Sequence, residues 1–143
     1  MLVELQRVST PSHWDAFHRI RRTVLFEARG LFDVYDTDYP DDQVPSNHPL
    51  ILIEDGQPRG AARLDFVGDR AVVRTVAVQP NDQRRGLGRA MMALVERYAA
   101  EHGVLVLEVN SAPDAAAFYL KLGWTMIDPD RASPLLERRP LAR

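Results

Sequence analysis

The chain has 143 residues, 45% hydrophobic and 27% charged, which is enough to bury a core without disulfide or metal staples. A net charge of −2 gives no electrostatic reason to expect a nucleic-acid partner. The absence of cysteine excludes disulfides, thiolate metal sites and a thiol nucleophile. The first residues, Met1 to Arg7, lack the apolar core of a signal peptide, and no apolar run is long enough to span a membrane. The expectation is one domain over residues 1–143, in the cytoplasm and off the membrane.

Leu2 to Val8 alternates loosely and predicts a first strand. Thr10 or Ser12 can cap the following helix, with Pro11 tolerated in its first turn. From His13 to about Ala28, Trp14, Phe17, Ile20 and Val24 share one side, while Arg19, Arg21 and Arg22 would face water or a ligand. Gly30 is placed to end that helix. Leu31 to Pro49 holds five aspartates, three prolines and no Lys or Arg, which fits a short helix and a loop. Its acids are either a solvated loop or a rim that attracts a cationic amine.

Leu50 to Glu54 is an apolar strand, Asp55-Gly56 a hairpin signal, and Arg59 to Val67 the return strand. Gly68-Asp69-Arg70 turns into a third strand, Val72 to Val78, so a meander precedes Gln83-Arg84-Arg85-Gly86-Leu87-Gly88. Beyond it Leu87, Met91, Leu94, Val95 and Tyr98 recur at helical spacing, which puts the glycines at a helix N-terminus. Unpaired amides and a partial positive charge gather there, and Arg84 and Arg85 add donors suited to phosphate. The stretch reads as an anion cradle.

Glu101-His102-Gly103 caps that helix, and Val104 to Val109 is a strand buried on both faces. Strand, helix, strand at this length implies a parallel right-handed crossover. Ala115 to Leu122 is a short helix stopped by Gly123; Trp124 to Ile127 and Leu135 to Arg138 are the last strands. The dinucleotide fingerprint fails because Met91 stands where a third glycine belongs, and neither a P-loop nor a Gly-x-Ser-x-Gly elbow occurs. His13, His18, His48 and His102 show no paired metal-ligand spacing, so no metal is expected.

Val76-Ala77-Val78-Gln79-Pro80 followed by Gln83 to Gly88 resembles the acetyl-CoA-binding motif of the GNAT N-acetyltransferase superfamily, Gln/Arg-x-x-Gly-x-Gly/Ala after a strand. Asn110 through Phe118-Tyr119 to Leu122-Gly123-Trp124 resembles that family's second block. The resemblance implies the GNAT acyl-CoA N-acyltransferase fold, of mixed α/β (α+β) class. Its central, mostly antiparallel sheet has one parallel splayed strand pair and is flanked by helices.

By the same resemblance, Val76, Ala77 and Val78 would line the pantetheine arm and Gln83 to Arg89 the pyrophosphate, with Asn110, Phe118 and Tyr119 completing the coenzyme A site. Tyr119 would be the general acid toward the leaving thiolate. Many members carry a glutamate where Arg74 or Thr75 stands here, so the general base stays open among Glu108, Asp65, Glu27, Asp36 and His48. The implied function is acetyl transfer from acetyl-CoA to a primary amine of a small molecule or peptide, by direct attack in a ternary complex. The alternative is a non-catalytic acyl-CoA sensor or assembly module. Family habit implies a homodimer.

Overall fold

A computed structural model describes residues 2–83 and 86–140. The strands are β1 (Val3–Arg7), β2 (Asn47–Glu54), β3 (Gln57–Val67), β4 (Arg70–Val78), β5 (Val106–Asn110), β6 (Thr125–Asp128) and β7 (Leu135–Arg138). They form one sheet in the order β1-β2-β3-β4-β5-β7-β6, and only the β4–β5 pair is parallel. The helices are α1 (Pro11–Arg21), α2 (Leu87–Glu101) and α3 (Ala116–Lys121). The mixed sheet matches the expected class.

Strand β2 shows why its sequence is apolar without a break. Ile51 and Ile53 pack with Phe17 and Ile20 of α1, while Leu50 and Leu52 pack with Met91, Met92 and Val95 of α2. Successive side chains of a strand point to opposite faces, and both faces here carry a helix. Asp55 and Gly56, at φ 49° and 84°, make the turn into β3, as the two-residue hairpin signal requires.

Two local departures shape the site. Thr10 caps α1 by accepting from the His13 amide at 3.2 Å, but the helix does not run regularly to Ala28. It widens into a π turn over Arg22–Phe26 and tightens into a 3-10 turn over Glu27–Arg29, ending at left-handed Gly30. In β4, Ala77 pairs with Ala61 but Arg74 pairs with Arg63, so Thr75 and Val76 oppose Ala62 alone. Thr75 stands at φ 53°, an uncommon value for a β-branched residue, and this bulge bends the strand. The ladder with β5 runs from Arg70 opposite Val106 to Val73 opposite Val109 and stops there, while β4 continues to Val78. The parallel pair therefore parts just before the bulge.

The segment from Leu31 onward corrects the expectation in detail. It carries a 3-10 turn at Pro40–Gln43, and β2 begins at Asn47, three residues before Leu50. Asp42 is not a solvated acid but buried, and Arg21 is buried as well.

Candidate active site

The opening between β4 and β5 leads to a cavity of about 460 Å³ lined by Val78, Gln83, Gly86, Gly88, Arg89, Phe118, Lys121 and Leu122. Gly86 caps α2 in the left-handed region, at φ 80° and ψ 6°, which glycine adopts without steric cost. Its carbonyl accepts from Ala90 at 3.0 Å, so the amides of Leu87, Gly88 and Arg89 precede the first intrahelical bond. The Leu87 side chain is buried in the core. A Cβ on Gly88 would lie 3.4 Å from Phe118, so a side chain there would fill the space between the turn and that ring. Gln83 Nε2 donates to the Val78 carbonyl at 3.0 Å and ties the cradle to the end of β4. Arg84 and Arg85 lie outside the described residues.

The other residues named from sequence divide. Phe118 lines the cavity; Tyr119 is only 5% exposed and packs between Phe118 and Trp124, with ring centroids at 5.2 and 5.3 Å. Burial pushes the Tyr119 phenol up to about 12. Val76 and Val78 pack against the core under α2, and Ala77 is buried on the α1 face. Asn110 ends β5, where Oδ1 accepts from Arg131 at 3.5 Å, outside the cavity lining. Lys121, one turn beyond Phe118 on α3, adds a cation that sequence reasoning missed; its i+3 spacing from an aromatic of the motif was the available signal.

On the other side of the bulge lies a larger cleft, about 720 Å³, where the end of α1, the π turn, the 31–41 segment, β3 and β4 meet. Its lining includes Arg21, Tyr35, Asp36, Asp41, Arg63, Asp65, Arg74 and Thr75. An ion ladder crosses it. Asp42 accepts from Arg21 at 2.9 Å and from Arg63 at 2.8 Å, and Arg63 turns its Nε and second terminal nitrogen to Asp65 at 2.7 and 3.0 Å. Burial alone would lower the Arg63 pKa, but the bonds to Asp65 and Asp42 outweigh it and hold the pKa above the usual value. Tyr35 is 2.6 Å from His18 Nδ1. Burial, and then the Arg21 charge, lower the His18 pKa, while burial raises that of Tyr35. Both are therefore neutral near pH 7, and the hydroxyl and the imidazole share one hydrogen bond.

The candidate bases are mostly engaged elsewhere. Glu108 accepts from Arg70 within the closed part of the β4–β5 pair. Asp65 is chelated by Arg63. His48 lies on the α2 face, 2.7 Å from the Tyr98 hydroxyl, and not on the acceptor side where sequence placed it. Glu27 is absent from the cleft lining, whereas Asp36 is present. Among the described residues there is no group of three or more His, Asp or Glu that could hold a metal, and no helix long and apolar enough to cross a membrane.

The family model of the GNAT acetyltransferases matches residues 14–124, spanning the bulge, the splay and the cradle. The chain belongs to the GNAT acetyltransferase family. A candidate acetyltransferase of Bacillus subtilis is 24% identical over 127 residues, covering 85% of this chain and 83% of that protein. PaiA N-acetyltransferase from Thermoplasma acidophilum, solved in complex with coenzyme A, superposes with a TM-score of 0.78 at 14% identity, over 97% of this chain and 99% of that one. An acyl-CoA N-acyltransferase from Pseudomonas aeruginosa superposes at 0.80 with 17% identity, over 96% and 98% of the two chains. The GNAT fold is thus shared across the whole described sheet, including the strand pair that opens.

Proposed function

We propose that the protein transfers an acetyl group from acetyl-CoA to a primary amine. The observation that carries this is the parting of β4 from β5 beyond Val73–Val109, directly beside the Gly86 turn at the start of a 15-residue helix. An extended pantetheine arm fits the gap, pairing with the main chain of Val76 and Val78 as an added strand would. The amides from Leu87 to Arg89 hold the pyrophosphate, with Lys121 and Arg89 as cations at the cavity wall. The coenzyme A complex of the PaiA structure supports the same ligand here.

In the reaction the amine lone pair attacks the thioester carbon, the C–S bond breaks, and the amine proton passes to solvent. An amide of the splayed strand, at Val76 or Val78, donates to the carbonyl oxygen as negative charge gathers on it. Tyr119 gives its proton to the departing sulfur and recovers one from water, so the products are an N-acetyl amine and a free thiol. With its pKa raised to about 12, Tyr119 stays protonated throughout the neutral range. The surroundings that raise the phenol would raise a buried thiol also, which keeps the two matched.

An assay of thiol release from acetyl-CoA against amines, polyamines, amino acids and peptides tests the proposal. Tyr119→Phe is expected to keep coenzyme A affinity and lower kcat by about 100-fold. Unchanged turnover would remove Tyr119 from the mechanism. The sensor reading is favoured by one observation: Arg74 and Thr75 stand where a carboxylate base would lie, and Asp65 beside them is already chelated. Coenzyme A binding without release from any acceptor would establish it.

A further inference from the structure

We infer that the acceptor is a free amino acid, an amine with a carboxylate one carbon away, and that Arg74 holds that carboxylate. The inference rests on the acetyl-transfer reading above. Three arginines line the larger cleft, and two of them are spoken for. The Arg21 and Arg63 side chains are 5% and 6% exposed and share both oxygens of Asp42. Arg63 uses its other donors on both oxygens of Asp65.

Arg74 differs. Its side chain is 46% exposed, and its one ion contact, Nε to Asp65, is 3.6 Å long, beyond a hydrogen bond. Its terminal nitrogens have no partner among the described residues. Three arginines against Asp42 and Asp65 leave one cation over in the ladder, and that cation is the exposed one. A guanidinium with two free parallel donors fits a carboxylate in a way an ammonium does not.

Position sharpens the chemistry. Arg74 is the first β4 residue past the end of the β5 ladder and the last before the Thr75 bulge. One residue, Thr75, separates it from Val76 at the opening, so the anchor and the gap lie on the same strand. An anchor beside the opening favours an amine close to the carboxylate that the anchor holds. At the lip of the same cleft, Asp36 and Asp41 are exposed; the Asp41 carboxylate has no partner among the described residues. They would repel an acidic side chain and tolerate a neutral or basic one.

The test compares alanine and lysine with glutamate, alaninamide, ethylamine and cadaverine as acceptors for the full chain. Alanine and lysine are expected to exceed their carboxylate-free counterparts by about tenfold or more in kcat/KM, with glutamate poor. Arg74→Gln should raise KM for the amino acids by about 10- to 100-fold. It should leave kcat, coenzyme A affinity and the ethylamine and cadaverine rates near their starting values, and Arg74→Lys should recover part of the loss. Alaninamide or ethylamine equalling alanine, or Arg74→Gln slowing every amine alike, would overturn the anchor while leaving acetyl transfer standing. If no acceptor releases thiol, alanine and lysine are titrated calorimetrically into the coenzyme A-saturated protein. Binding that Arg74→Gln abolishes keeps the anchor and overturns the transfer reading; no binding overturns both. Should Arg74→Gln not fold, Arg74→Lys and the unmodified chain's preference among the acceptors decide.

Discussion

The two clefts draw on different stretches of β4, Val78 for one and Arg74 and Thr75 for the other, and are built on opposite plans. The donor side is nearly contiguous in sequence, from Val76 to Arg89 with one face of α3, and it offers main chain: a glycine turn, the amides that open α2, and the unpaired edge of β4. The acceptor side gathers segments from Arg21 to Arg74 and holds them with side chains, through a ladder of carboxylates and guanidinium groups. A ligand such as pyrophosphate can be recognised by geometry that any sequence supplies, provided no Cβ intrudes. An acceptor is recognised by what the side chains are. Substitution should therefore act differently on the two sides.

The largest expected effect is at Asp42. Its carboxylate is buried between two buried guanidinium groups, so Asp42→Ala leaves the buried Arg21 without its counter-ion and Arg63 with Asp65 alone, and should cost about 3–5 kcal/mol. Chemical denaturation measures this directly. The folded fraction should retain coenzyme A affinity while losing acceptor binding. A loss below about 1 kcal/mol would mean that the ladder does not hold the acceptor side together.

On the donor side the comparison turns on a single methyl group. Gly86→Ala forces a side chain into φ 80°, at about 1–2 kcal/mol, and should weaken coenzyme A binding by about tenfold as the cradle shifts. Gln83→Ala deletes a whole side chain but only one exposed bond to the Val78 carbonyl, about 0.5–1 kcal/mol. Titration of coenzyme A into both variants ranks them. If Gln83→Ala were the worse, the donor site would depend on side chains after all.

This contrast also explains what could be read before the fold was known. The cradle, the meander into it and the crossover to β5 carry local signatures: β-branched runs, a Gly-x-Gly at a helix start, alternating periods. Gly30, Gly103 and Gly123 sit in the left-handed region where their helices stop. The acceptor side had no such signature. Arg21 and Asp42 look like solvated charges in any window of sequence, and only the fold brings them within 2.9 Å. The π turn at Arg22–Phe26 and the bulge at Thr75 are equally silent, because β-branched and apolar residues there favour the regular element. Tyr119 was legible as a motif residue, but its burial beside Trp124 belongs to the tertiary packing.

A smaller effect comes from a cluster outside both clefts, which serves as a control on the comparison. His48 packs against Phe66 at 4.5 Å, with His102 stacked on Tyr98 beside it. Burial, then the charges of Arg7 and His102, lower the His48 pKa to about 4. The Nδ1 of the neutral imidazole and the Tyr98 hydroxyl share a hydrogen bond of 2.7 Å. In the unfolded chain the same histidine takes its proton near 6.5, so between about pH 6.5 and 4 the unfolded state binds the extra proton first. The stability held by neutral His48 is complete above pH 6.5 and drains away as pH falls toward 4. His48→Gln should flatten that limb in thermal unfolding, leaving a residue from His18, whose pKa is lowered in the same direction. Coenzyme A affinity at pH 7 should not move, because the cluster sits by Tyr98 and His102 at the far end of α2 from the Gly86 turn and lines neither cleft. An acid limb unchanged by His48→Gln would mean that the imidazole takes its proton in the folded protein as readily as in the unfolded chain.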